Sequence, residues 1–105
     1  MDYLADIKKY ADKVDADVVA SMEKTYRLVL SRQDTAVVAF SDEQERKTVR
    51  ENFLKKKLGL THPDDELDAA IEAIGAKMKG ATRKSRLTFY YLLADRFNKL
   101  DVFKQ

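Results

Sequence analysis

The chain contains no cysteine, which removes disulfide scaffolds, thiolate metal sites and cysteine nucleophiles together. It holds a single histidine, His62. General acid–base chemistry would therefore rest on carboxylates or tyrosines, and no pair of these stands out in one dimension. No stretch approaches the roughly 18 apolar residues of a membrane span, and the longest apolar block, Phe89 to Ala94, includes two tyrosines. The opening MDYLADIKKY places acids where a signal peptide needs a basic start and an apolar run, so the expected location is the cytoplasm, away from any membrane. Linkers, internal repeats and low-complexity tracts are also missing.

What is present is a chain of 105 residues, 45% hydrophobic and 36% charged. That length suits one domain over 1–105, and such a chain buries roughly 60–70% of its unfolded surface, enough for one core. Leu, Ile, Val, Phe and Tyr recur throughout, which argues against disorder. The net charge of +2 is unevenly spread: residues 59–75 carry five acids and no base, while residues 76–105 carry eight bases and two acids. Adjacent blocks of opposite sign can neutralise each other inside the fold before any partner is invoked.

The apolar spacing predicts an all-α fold, a compact single-domain bundle of about five helices. A first helix spans about 2–12, with Tyr3, Ile7, Tyr10 and Val14 on one face. A second runs from Asp15 or Asp17 to Ser31 on Val18, Met22, Tyr26 and Val29. A third opens at Ser41, with Gln44 placed for a capping box, and closes at Gly59, which suits a left-handed helix end. A fourth starts near Pro63, keeps Leu67, Ala70, Ile71, Ile74 and Met78 on one face, and ends at Gly80. A fifth covers about 83–99, capped by Thr82. Its apolar arc, from Phe89 through Leu93, Phe97 and Ala94 to Tyr91, spans roughly 200°, where an ordinary surface helix shows little more than 100°. The fifth helix is therefore the centre of the bundle or half of an interface, and burial within the chain is the simpler reading. The segment TAVVAF (35–40) is β-branched but too short and isolated for a sheet, and reads as an apolar loop or turn against the core.

The runs ENFLKKKLGL (51–60) and KSRLTFYYLLADRF (84–97), with MDYLADIKKY, resemble a small bacterial family catalogued as domain of unknown function 2853. The resemblance covers nearly the whole chain. It implies a short helical protein of unassigned activity and brings no catalytic residues with it.

Several local patterns touch on chemistry. Gly75 to Thr82 has the glycines and hydroxyl of a phosphate-binding loop, but Ala81 stands where the lysine belongs and a helix precedes instead of a strand. Ser21-Met-Glu-Lys24 matches S-x-x-K without the accompanying S-D-N and K-T-G elements. His62 lies among Asp64, Asp65 and Glu66 with no metal-ligand spacing, so no metal or other cofactor is expected. Lys55-Lys56-Lys57 suits a helix C-terminus.

The start of the fifth helix breaks a local rule. Arg83, Lys84 and Arg86 crowd a positive helix end. With Thr82, Ser85 and the free N–H groups they compose a candidate anion site of Thr82, Arg83, Lys84, Ser85 and Arg86. The alternative is internal pairing with Asp42, Glu43 or Glu45. A helix-turn-helix reading of the fourth and fifth helices is opposed by the acids at the start of the fourth and the apolar character of the fifth. The expected function is that of a non-catalytic interaction or structural module. Its partner would be another protein or a second copy meeting the apolar face of the fifth helix. The alternative is an anion or nucleic-acid binder, with weak polyanion binding at the basic cluster, and a small enzyme with a carboxylate site comes third.

Overall fold

The computed structural model describes residues 2–104, and several of its helices begin at short side chains able to accept from free backbone N–H groups. Asp2 Oδ1 accepts from Ala5 at 3.1 Å and opens α1 (Tyr3–Lys8). Asp15 accepts from Asp17 and Val18 and opens α2 (Ala16–Thr25). At Tyr26 the backbone leaves helical geometry, so the predicted second helix divides, and α3 (Arg27–Leu30) follows. The ring of Tyr26 meets Tyr90 edge-on at 5.4 Å and Phe103 at 6.2 Å.

Residues 35–40 are not simply a loop. Val37–Val38 (β1) pairs antiparallel with Lys84–Ser85 (β2), Val37 opposite Ser85 and Val38 opposite Lys84. The pairing is two residues long, and its partners lie 46 and 48 positions away, which no local signal reveals. It also corrects the start of the fifth predicted helix. The extended Lys84–Ser85 holds the chain out of helical geometry, so the helix is α6 (Arg86–Arg96), capped by Ser85 Oγ on the Thr88 N–H at 3.4 Å. Thr82 is not its cap.

The third predicted helix differs in kind. Its cap is Asp42, not Ser41: Asp42 Oδ1 accepts from Gln44 at 2.9 Å. From there α4 (Glu43–Thr48) continues unbroken into a π-helix, Val49–Lys57. The winding follows from the apolar spacing. Val49, Phe53, Leu54 and Leu58 are buried. At 100° per residue Leu58 would stand opposite Val49. The i→i+5 winding turns about 80° per residue and gathers all four within an arc of roughly 80°. Asn52 and Lys56 then remain outside. Gly59, at φ 70°, ends the segment as predicted.

Next, α5 (Asp64–Lys77) buries Leu67, Ala70, Ile71 and Ile74 as predicted, with Met78 buried just past its end. It stops at Lys77, three residues short of Gly80. A 3-10 turn, Leu100–Phe103, closes the chain after Asn98 takes φ 57°. The fold is all-α apart from the β1–β2 bridge, and α6 is its axis. Every residue from Arg86 to Ala94 is buried, against α1, α2, α5, the π-helix, the 3-10 turn and both strands. The wide apolar arc is thereby explained within one chain. The chain itself covers that face from Arg86 to Ala94, which leaves only partly buried residues such as Phe97 for a homodimer through it.

Candidate functional site

The five residues read as an anion site do not converge. Thr82 and Arg83 are exposed on the turn before β2, and among the described residues Arg83 makes no ion pair. Lys84 is half-buried; its Nζ donates to the Ala81 carbonyl at 3.2 Å and lies 5.8 Å from the centre of the Phe40 ring. Ser85 is buried and committed to capping α6.

Arg86 points inward and is only 8% exposed. Its Nε donates to the Thr35 carbonyl at 2.5 Å, one terminal nitrogen to the Tyr90 hydroxyl at 2.9 Å, and the other to the Val37 carbonyl at 3.2 Å and to the Glu45 carboxylate. A planar guanidinium with five donors suits this task, since it satisfies two carbonyls, a phenol and a carboxylate at once. Burial opposes its charge, but Tyr90 and Glu45 outweigh it and hold its pKa above the ordinary arginine value. Burial also pushes the Tyr90 phenol up, against the pull of Arg86. Of the three acids considered as internal partners, Glu45 is the one that reaches the cluster.

A second network joins the π-helix to α5. Arg50 meets both Asp68 oxygens at 3.0 Å, Glu51 at 2.8 Å and Asp64 at 3.8 Å. Lys55 meets Asp64 at 2.7 Å and Glu51 at 2.9 Å. The hydrogen bonds from Arg50 and then Lys55 hold the Glu51 carboxyl down to about 2. The acidic block at 59–75 is thus matched in part by bases of the preceding helix. Of the other lysines at that helix end, Lys57 lies 5.3 Å over the Phe103 ring.

The remaining motifs are spread over the fold. His62 packs edge-on against Phe97 at 5.2 Å. Among the described residues no three His, Asp or Glu side chains converge as a metal would need. The phosphate-loop-like stretch lies on α5 and the turn after it, where buried Gly75 lies against the far end of the Phe40 ring. Ser21 and Lys24 line a wide surface groove on α2. Two long-range contacts went unseen in the sequence: the Thr88 hydroxyl on Asp6 at 2.5 Å, and the Asp15 N–H on the Tyr91 hydroxyl at 2.9 Å. Their partners lie 82 and 76 positions apart, and no periodicity signals such pairs.

Among the described residues every buried side-chain nitrogen and oxygen has a hydrogen-bond partner, and no helix is long and apolar enough to cross a membrane. The molecule is a small all-α protein whose interior polar groups hold the fold together. It belongs to the family described as "Protein of unknown function (DUF2853)", whose profile matches residues 2–101. No curated protein matches the chain.

Proposed function

We propose that this chain is a non-catalytic helical interaction or structural module of the bacterial cytoplasm, acting through its outer surface. The observation that carries the reading is the saturation of the interior. Arg86, Tyr90, Tyr91 and Thr88, the buried groups able to do chemistry, are each bonded to another part of the same chain. A catalytic group must instead aim at a space a substrate can enter. The test pairs cross-linking mass spectrometry in the native cell with incubation of the purified chain in metabolite extract. A defined polypeptide cross-linked to exposed lysines is the expected result. Consumption of a metabolite in proportion to the chain's concentration would overturn the reading.

A second reading, weak polyanion binding at Thr82, Arg83, Lys84, Ser85 and Arg86, is favoured by one observation, the exposed Arg83 beside Thr82, which makes no ion pair among the described residues. With Arg86 turned inward, such a contact has fewer cations than the sequence promised, so it would be weak and strongly salt-dependent.

A further inference from the structure

α2 turns one face to solvent, and the charges on it are ordered. At 100° per residue, Asp17, Ala20, Glu23 and Lys24 fall within an arc of roughly 120°, opposite the buried Val18, Val19 and Met22, and Arg27, at the start of α3, lines one surface groove with Ala20, Glu23 and Lys24. All five are exposed. Read from the N-terminus the sequence of charges is acid, small residue, acid, base, base. Among the described residues none of these four charged groups makes an ion pair within the chain. A helix dipole favours that order of signs, but it leaves two neighbouring features unaccounted for. Leu28, at the end of the stripe, is 79% exposed, the one large hydrophobic side chain so placed among the described residues. Its chain neighbour Arg27 lines that shallow groove together with Tyr3, Ala20, Glu23, Lys24, Leu30 and Ser31.

We propose that this face is the contact surface for a second copy of the chain, paired antiparallel about a two-fold axis across α2; the inference rests on the interaction-module reading and names the partner. Closed two-fold symmetry requires a self-complementary patch. An antiparallel pairing supplies it, because the acidic half of one stripe (Asp17, Glu23) lies over the basic half of the other (Lys24, Arg27). Ala20, between the two acids, lets the helices approach closely, and each copy offers both an apolar knob, Leu28, and a groove with Tyr3, Ala20 and Leu30 in its lining. A standard interface takes about 800 Å² from each partner, about an eighth of this chain's 6508 Å². A helix face with one exposed leucine sits at the low end of that class, so the dimer is reversible and concentration-dependent.

Sedimentation equilibrium of the full chain, over about a hundredfold range of concentration, tests this. Wild type is expected to pass from monomer to dimer. Leu28→Lys should weaken the association at least about tenfold, a loss of about 1.4 kcal/mol. The decisive pair is a basic-face variant, Asp17→Lys with Glu23→Lys, and an acidic-face variant, Lys24→Glu with Arg27→Glu. Each should remain monomeric alone, and an equal mixture should restore the dimer, which also shows that both are folded. Wild type staying monomeric at the highest concentration, or a mixture no more associated than its parts, overturns the proposal. A monomer that still cross-links to another protein would sink the dimer and leave the module reading standing. A dimer that consumes a metabolite would do the reverse.

Discussion

Replacing Gly75 by alanine should destabilise this protein, against the usual rule for glycine within a helix. Gly75 is buried in the last turns of α5. In an unobstructed helix, Gly→Ala is favourable by about 1 kcal/mol, because alanine leaves less backbone entropy to lose. Here the place of the methyl group is taken. A Cβ built on Gly75 falls against Cε1, Cζ and Cε2 of Phe40, well inside van der Waals contact. The ring cannot yield easily. It packs on Phe89 with centroids 6.1 Å apart, and Arg46 and Lys84 each stand 5.8 Å from its centre. Forcing a methyl into packed surroundings costs about 1–3 kcal/mol. Expelling the ring instead forfeits about half of the 3–5 kcal/mol that a fully buried phenylalanine contributes, since Phe40 is only half-buried. Either route exceeds the helical gain and leaves a net loss of about 1 kcal/mol, or about 4 °C in melting temperature for a chain this size. Thermal melts of Gly75→Ala, Phe40→Ala and the double variant form a cycle. With the ring gone, Gly75→Ala should turn neutral or stabilising. A single Gly75→Ala variant melting at or above wild type would refute the reasoning.

The two arginines on either side of β2 should behave in opposite ways. Arg86→Ala leaves Glu45 and two carbonyls without their donor and should cost about 3 kcal/mol in chemical denaturation, whereas exposed Arg83→Ala should stay within about 0.5 kcal/mol; equal effects would contradict the inward placement of Arg86. Stability should also fall as the solution is acidified from about pH 4.5 towards pH 2. Glu51 is held below its ordinary 4.5, at about 2, by Arg50 and Lys55, so its contribution is complete above the unfolded value and disappears as pH falls through the folded one. Lys104 lowers Asp15 in the same direction. Denaturation midpoints of wild type and Arg50→Gln across this range should converge at the acid end, and a constant gap would show that the network carries no such linkage.

Much of the fold was legible in one dimension. The stripes of α2 and α5, the helix starts at Asp15 and near Pro63, and the left-handed close at Gly59 all depend on neighbours within a turn or two, where periodicity and propensity act. The roughly 200° apolar arc of the fifth predicted helix foretold an axial element, because only a helix enclosed on most sides can bury so much. Its charge pattern was open to two readings, since a cation at a helix start looks the same whether it faces solvent or a distant carboxylate.

Only tertiary contact separated those readings, and it did so by moving the helix start. Pairing Lys84–Ser85 with Val37–Val38 delayed α6 to Arg86 and turned that guanidinium onto Thr35, Val37 and Glu45. The π winding of 49–57 was decided in the same way. Its apolar residues satisfy an α-helical period poorly, and the wider period prevails because Phe53 must stack on Tyr90, 3.9 Å away on α6. Amino-acid order determined which segments are helical and which faces are apolar, since those choices are made between residues a few positions apart. Which charges are neutralised inside and which are left to meet a partner depended on residues 18 to 82 positions apart, brought together only when the apolar faces closed around α6.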